Sequence, residues 1–220
     1  MAQTVAALYT APSIVETVSK HFYERWPGVR LVNIIDGSLI QDVIAANEVT
    51  RSVERRLLRY YMACEDVGAD VILNTCSSIG EATMRASRYI TLPVVNIDRA
   101  MAENAVDTAS TIVVLATLPT TLGPTIRLIE NVAKEQGKEI TVVDGLASGA
   151  FEALSAGDAE KHDRILRETA MRTAEKAEVI VLAQGSMARM AEELTAKTGK
   201  QVFSSIAPGI DSLKRYIAAG

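Results

Sequence analysis

Apolar and polar positions along this chain form two alternating kinds of segment. Short runs rich in β-branched residues alternate with longer segments in which apolar residues recur at helical spacing. The short runs predict strands at Val5–Tyr9, Arg30–Ile35, Asp70–Asn74 and Val94–Ile97, and the spacing in Asn47–Val67 predicts a helix. This order is typical of parallel sheets with helices on both faces, so we expect an α/β fold.

The second half of the chain repeats the first at a nearly constant offset. The matches that show this are Thr10–Ser13 with Thr117–Thr120, Ile35–Gly37 with Val143–Gly145, Ala69–Ile72 with Ala177–Ile180, and Cys76-Ser77 with Gly185-Ser186. We therefore expect two similar units. The first comprises residues 1–98 plus 207–220 and the second residues 99–206. A last helix, about Ile210–Ala218, is expected to follow Pro208-Gly209 and to pack on the first unit.

Composition and charge exclude several classes of protein. Of the 220 residues, 48% are hydrophobic and 23% charged, and the net charge is −4, which is typical of a soluble globular protein. No basic stretch is dense enough for a nucleic-acid face, and the apolar runs are too short to span a membrane. Cys64 and Cys76 form no Cys-x-x-Cys pair, so neither a structural disulfide nor a zinc site is predicted. We expect a cytoplasmic protein with both histidines, His21 and His162, facing solvent.

Hydroxyl-rich loops follow the first and third predicted strands of each unit. Ligands of open parallel sheets bind beyond the carboxyl ends of the strands, so these loops are the candidate site. If the two units face each other, the loops would surround one cleft. Each loop precedes a helix, where free N–H groups favour an anion. Nucleotide-binding glycine motifs are absent from the sequence, so a small carboxylate is the expected ligand. The loops are Thr10–Ser13, Thr75–Ser78, Thr117–Thr121 and Gln184–Met187.

Cys76 is the candidate reactive group. The Ser78-x-x-Glu81 spacing is that of a capping box, which predicts a helix from about Ile79 with Cys76 just before it. A thiol at that position has its thiolate favoured, so it is suited to acid–base work near neutral pH. The alternative is a thiol that only packs, because cysteine is among the most buried residue types. Cys64, inside an apolar helix segment, is expected to be such a core residue.

These motifs resemble the aspartate/glutamate/hydantoin racemase superfamily. The resemblance lies in Asn74–Ser78, the Thr117–Thr121 loop and Val181–Met187, and it extends over nearly the whole chain. It implies two flavodoxin-like units with the active site between them, no metal, no cofactor and often a homo-oligomer. It also implies that Cys76 is catalytic. The substrate-binding residues expected on this basis are Thr10, Ser13, Thr75, Ser77, Ser78, Thr117, Thr120, Thr121, Gln184, Gly185 and Ser186.

The sequence departs from the family pattern in its second half. Members carry a second catalytic cysteine there, which should fall at Gln184 or Gly185. A racemase or isomerase acting next to a carboxylate or carbonyl is the activity that the resemblance implies. Decarboxylation of a malonate-like acid, with Cys76 as the single proton donor, is a second reading. This chain also resembles arylmalonate decarboxylase, a relative that has one catalytic cysteine. Maleate isomerase is another relative, and a non-catalytic carboxylate-binding protein is the alternative from another class.

Overall fold

The chain folds into two compact units, each built on its own four-stranded parallel sheet. The computed structural model describes residues 3–217. One unit runs from the N-terminal part of the chain to Arg99 and resumes at Ile206, and the other is Ala100–Ser205. The α/β fold predicted from the alternating pattern is confirmed.

The first sheet has the strand order β2-β1-β3-β4. Helices follow each strand, as expected for parallel connections. The strands are β1 (Thr4–Tyr9), β2 (Arg30–Ile35), β3 (Val71–Asn74) and β4 (Val94–Asn96), and the helices are α1 (Val15–Arg25), α2 (Gly37–Ala46), α3 (Arg51–Asp66) and α4 (Gly80–Ala86).

The second sheet repeats this order as β6-β5-β7-β8. Its strands are β5 (Thr111–Ala116), β6 (Thr141–Leu146), β7 (Val179–Leu182) and β8 (Gln201–Phe203), and the remaining helices of the chain are α5 (Arg99–Thr108), α6 (Pro119–Glu135), α7 (Ala150–Ser155), α8 (Ala159–Ala174), α9 (Ala191–Thr198) and α10 (Ile206–Ser212). Both orders are those of doubly wound sheets, in which strand order reverses beside the first strand.

The central strands are buried on both faces. Ile112 and Val114 of β5 pack against α5 and α6, whereas Val113 and Leu115 pack against α8 and the segment after β7. This alternation follows from the two-residue period of a strand. In the first unit, Leu8 and its neighbours pack in the same way against α2, α3 and α4. The two-sided burial explains why these strands are nearly continuous apolar runs.

One predicted helix start is wrong, and another is correct to within one residue. The predicted helix Asn47–Val67 begins at Arg51, because Asn47 adopts a left-handed conformation (φ 54°) that ends α2 and the Thr50 hydroxyl caps α3 at the Val53 N–H, 3.3 Å away. The second predicted helix start, about Ile79, agrees with the structure to within one residue, since α4 begins at Gly80. A 3-10 turn, Ser77–Ile79, comes first, and the residue that precedes α4 is Ile79, which makes no side-chain cap.

The last helix begins earlier than predicted, at Ile206 rather than Ile210. Pro208 lies in its first turn, where proline is tolerated because the N–H has no helical partner. The predicted end at Ala218 lies outside the described residues. As predicted, the helix packs on the first unit, where the indole of Trp26 donates to the Ile210 carbonyl at 3.1 Å. Gly209 is required there, since a β-carbon would stand 2.3 Å from the Ile97 carbonyl oxygen.

Candidate active site

Cys76 lies at the carboxyl end of β3, beside the end of β1. The Thr75 N–H donates to the Leu8 carbonyl at 3.1 Å, which carries the pairing of the two strands one residue past β3. Cys76 itself is extended (φ −119°, ψ 111°) and directly precedes the 3-10 turn that leads into α4. Its side chain is half-buried against the core between the sheet and α3. The thiol therefore stands where a parallel sheet presents its ligand-binding residues.

A buried amide holds the backbone on both sides of Cys76. The Asn74 Nδ2 donates to the Cys76 carbonyl at 3.0 Å and to Asn96 Oδ1 at 2.9 Å, and the Cys76 N–H reaches Asn74 Oδ1 at 3.4 Å. The amide of Asn96 in turn donates to the Gly80 carbonyl at 3.2 Å, at the start of α4. Because Asn74 is 1% exposed, these bonds form away from water and fix the conformation of the loop.

The groups around the Cys76 sulfur shift the pKa of its thiol in opposite directions. Burial raises the pKa of the Cys76 thiol and is the larger effect. The Thr10 hydroxyl and the nearby N–H groups of Ser78 and Ile79 lower the pKa, but they do not outweigh burial. The Ile79 N–H also donates to the Cys76 carbonyl at 3.3 Å. The N–H groups at the helix start therefore act in the direction expected from the sequence, and burial opposes them with the larger effect. The resting group is the protonated thiol, with donors already arranged for the thiolate that forms when the proton leaves.

Cys64 is the core residue that the sequence predicts. It is fully buried on α3, and burial raises its pKa to about 11. A thiol in that environment stays protonated and inaccessible, so the reactive candidate is Cys76.

The other candidate residues of the first unit differ in what they offer. Thr10 is buried with its hydroxyl at the sulfur. Thr75 donates its hydroxyl to the Leu8 carbonyl at 2.9 Å, so that proton is already used within the sheet. Ser77 and Ser78 begin the turn after Cys76, with Ser78 buried. Ser13 is exposed in a separate 3-10 turn, Pro12–Ile14. Substrate binding by these residues stays a prediction.

Asp98 is a buried carboxyl that the sequence analysis did not single out. It is 4% exposed, and its carboxylate accepts a hydrogen bond from the Ser77 hydroxyl. Burial raises the pKa of Asp98, and a charge on it raises the pKa of Cys76 in turn. The sequence does not single out Asp98, because two adjacent charged residues, Asp98 and Arg99, are typical of an exposed helix start. The signal available was its place just past β4, at the same edge of the sheet as Cys76.

In the second unit, Gln184 takes the place that Cys76 holds in the first. Thr117 donates to Gln184 Oε1 twice, from its backbone N–H at 2.7 Å and from its hydroxyl at 3.0 Å. Because an N–H group can only donate, the oxygen of the Gln184 amide must face Thr117 and the NH2 group must face away. Among residues 3–217, that NH2 group has no acceptor.

Backbone geometry fixes this equivalence and corrects the sequence alignment. Gln184 is extended (φ −125°, ψ 133°) and precedes a 3-10 turn, as Cys76 does. The Ala183 N–H donates to the Leu115 carbonyl, as the Thr75 N–H donates to Leu8. The match of Cys76 with Gly185 is therefore shifted by one residue, and Gly185 opens the turn that Ser77 opens in the first unit.

The remaining candidates of the second unit lie around Thr117. The Thr120 Oγ1 is buried and has no hydrogen-bond partner in the described part of the chain, so a ligand oxygen could satisfy it. Thr121 is buried in the first turn of α6, and Gly185 and Ser186 are partly exposed at the start of the turn after β7.

His162 is buried, so its predicted exposure is wrong. It is 2% exposed because it lies on the same face of α8 as Leu166 and Thr169, although its sequence neighbours are charged. Its Nδ1 lies 2.7 Å from an Asp163 oxygen, and Asp163 accepts from the Arg189 guanidinium at 2.7 Å. Arg189 belongs to the turn that follows Gln184, so this ion pair ties that turn to α8. His21 is exposed, as predicted.

Comparison with known proteins shows which family these features belong to. The model of the Asp/Glu/hydantoin racemase family matches residues 6–213, nearly the whole chain. The chain belongs to the Asp/Glu/hydantoin racemase family. The resemblance expected from the sequence motifs is thereby confirmed. A direct sequence search among curated proteins found no significant match.

Solved racemase structures share the fold of this family member at low sequence identity. Allantoin racemase from Klebsiella pneumoniae is 17% identical with a TM-score of 0.72, covering 97% of this chain and 87% of that chain. Aspartate racemase from Picrophilus torridus is 14% identical with a TM-score of 0.75, covering 97% and 93%. Glutamate racemase RacE1 from Bacillus anthracis is 12% identical with a TM-score of 0.75, covering 97% and 80%.

Between residues 3 and 217, no group of three or more His, Cys, Asp or Glu side chains is arranged to hold a metal ion. Over the same residues, the helices are too short or too polar to cross a membrane.

Proposed function

We propose that this protein is a racemase- or isomerase-type enzyme that acts on the carbon next to the carboxylate or carbonyl of a small substrate, with Cys76 as its acid–base group. The observation that carries the proposal is the half-buried thiol at the end of β3, where the Thr10 hydroxyl and the N–H groups of the following turn lower its pKa. Membership of a racemase family supports it.

The proposed reaction needs a group that exchanges one proton with carbon. The resting Cys76 thiol first loses its proton to solvent. The thiolate then removes the proton next to the carboxylate, and the C–H electron pair moves into an enediolate. The thiol can return a proton only to the face from which it was taken. Inversion therefore needs a water molecule to deliver a proton to the opposite face, after which Cys76 gives its proton to the resulting hydroxide and the thiolate is restored. The donors on the sulfur stabilise the thiolate form, while burial makes that thiolate a stronger base. The enediolate charge must be met by hydrogen-bond donors.

Gln184 and Thr120 are the donors that we propose for substrate oxygens in the second unit. The Gln184 NH2 group is fixed in the donating orientation by Thr117, and the Thr120 hydroxyl is buried without a partner among the described residues. An amide cannot replace a thiol as an acid–base group near neutral pH, so the equivalent loop contributes binding and not proton transfer.

A second candidate function is decarboxylation of a malonate-like acid. Two observations favour it: the resting Cys76 is a protonated thiol, and the equivalent position of the second unit holds no thiol. In that reaction the C–C bond to one carboxylate breaks and CO2 leaves. The electron pair left on carbon forms an enediolate, and the Cys76 proton is transferred to the carbon. One proton donor on one face is sufficient for this chemistry.

Incubation of candidate substrates with the protein in D2O, followed by NMR and chiral chromatography, tests these readings. The panel comprises aspartate, glutamate, allantoin, a hydantoin, maleate and an arylmalonate. Deuterium at the carbon next to the carboxylate, without carbon loss, supports the racemase or isomerase reading. Loss of CO2 with one stereospecific deuterium supports decarboxylation. Ligand protection of Cys76 from alkylation, with neither reaction, would contradict both and indicate a binding protein.

A further inference from the structure

The register of the first sheet brings Asp98 beside Cys76. β3 and β4 are neighbouring parallel strands in which Asn74 pairs with Asn96, and the Ile97 N–H donates to the Asn74 carbonyl at 2.9 Å. Cys76 and Asp98 each lie two residues past this pair. Both strands have ended by then, and Asp98 stands in the turn after β4, but the paired strand ends bring the two following segments to adjacent positions at the sheet edge. The thiol and the carboxyl are therefore neighbours by backbone geometry.

Asp98 is buried without a counterion in the described structure. It is 4% exposed and forms no ion pair within residues 3–217. Its carboxylate is stabilised by the Ser77 hydroxyl and by its own backbone N–H. These two hydrogen bonds do not outweigh the cost of burial, which raises the pKa of Asp98, so its position without a cation indicates a functional role. The racemase chemistry proposed above gives Asp98 no proton to transfer and no substrate to touch.

We propose that Asp98 is a positioning residue whose negative charge, fixed by Ser77, opposes the ionisation of Cys76, so that the thiolate formed during turnover is a stronger base. This role rests on the proposed function of Cys76. Two acidic groups that are close together in a buried site do not readily ionise at the same time. Because a carboxyl is the stronger acid, Asp98 carries the charge and Cys76 keeps the proton.

The other titratable groups around the pair do not reproduce this effect. Tyr61 of α3 faces the thiol, but burial raises its pKa and its hydroxyl donates to Thr83, so it stays neutral. Glu81 is exposed on α4, where water screens its charge. Arg99, the residue after Asp98, begins α5, and its charge would act on Cys76 in the opposite direction.

The pH dependence of Cys76 alkylation tests the proposal without any substrate. Wild type, Asp98→Asn and Asp70→Asn are treated with iodoacetamide from about pH 6 to about pH 11, and the Cys76 peptide is quantified by mass spectrometry. Asp70 is the matched control, because its carboxylate accepts the Thr4 N–H at 2.7 Å at the opposite end of β3. In Asp98→Asn the midpoint should fall by about one pH unit, since the charge that opposes the thiolate is gone. Asp70→Asn should keep the wild-type midpoint.

Coincident profiles for Asp98→Asn and wild type would overturn the proposal, as would an equal shift in Asp70→Asn. Asp98→Ala is the second variant. It removes the charge and the side-chain shape together, whereas Asp98→Asn removes the charge alone. The same downward shift in both Asp98 variants supports a charge effect, and a shift in Asp98→Ala alone contradicts it. Circular dichroism checks that each variant is folded. Because the measurement needs no turnover, absence of racemase or decarboxylase activity would refute the proposed function and leave the Asp98 result standing.

Discussion

The loops that follow β3 and β7 have nearly the same backbone course and carry different chemistry. In each unit an extended residue precedes a 3-10 turn, and a threonine after the first strand points to it. In the first unit Thr10 reaches the Cys76 sulfur, and in the second Thr117 reaches the Gln184 oxygen. The repeat thus keeps the threonine donor and changes the group next to it, from a thiol, which can exchange a proton, to an amide, which can only form hydrogen bonds.

The two loops are also anchored by different forces. The residue two before Cys76 is Asn74, whose amide bonds to the backbone on both sides of Cys76. At the equivalent place in the second unit stands Leu182, which packs into the core. There the turn is tied to α8 by the Arg189–Asp163 ion pair instead. Neutral buried amides hold a geometry independently of pH, whereas a partly exposed ion pair does not.

The largest expected effect comes from removing the thiol. Cys76→Ala should lower turnover by about a thousandfold or more, because no other described group at that place can exchange the proton. Gln184→Ala, the same truncation in the second unit, should lower turnover far less, because it removes binding only. The measurement is initial rate on the substrate identified in D2O. Cys64→Ala is the control thiol variant and should retain turnover. A dead Cys64→Ala with an active Cys76→Ala would contradict the assignment.

Gln184→Glu tests the orientation of the second-unit amide. A carboxylate still accepts both hydrogen bonds from Thr117 but presents a negative oxygen where the NH2 group donated. KM for a carboxylate substrate should rise by about tenfold to a hundredfold, because one donor is lost and a repulsion is gained. Gln201→Glu, an exposed change of equal charge on β8, is the control. An unchanged KM in Gln184→Glu would show that this amide does not face the substrate.

The sequence pattern predicts the scaffold of both loops but not their chemical details. Periodicity and the repeat are sufficient for two parallel sheets and for Cys76 at a strand end, since those features depend on local spacing. The register between Cys76 and Gln184 could not be derived, because Gly185-Ser186 imitates Cys76-Ser77 one residue away. Asp98 and His162 were missed for one reason: burial of a polar side chain depends on tertiary packing, and their charged neighbours suggest a surface.

Thr10 and Thr117 allow a paired test of the threonine hydroxyl that donates a hydrogen bond in each unit. Thr10→Val removes the hydroxyl that stabilises the Cys76 thiolate, so the midpoint of Cys76 alkylation should rise by about half a pH unit or more. Thr117→Val should leave that midpoint unchanged, because its hydroxyl serves Gln184. Both substitutions keep the side-chain shape, which limits structural effects. Equal shifts in the two variants would mean that the donors do not act locally.

The smallest expected effect concerns the ion pair that anchors the second loop. The Arg189 guanidinium lowers the pKa of Asp163 to about 2, below the unfolded value of about 3.9. The Arg189–Asp163 ion pair therefore makes its full contribution to the free energy of unfolding above the pKa that Asp163 has in the unfolded chain. That contribution is lost as pH falls toward about 2. Since Arg189 is half exposed, solvent keeps that contribution small. Urea unfolding should show wild type more stable than Asp163→Asn at about pH 6, with the difference vanishing near about pH 2. A difference that stays constant over this range would mean that Asp163 acts through packing, and the contrast in how the two loops are anchored would then not be electrostatic.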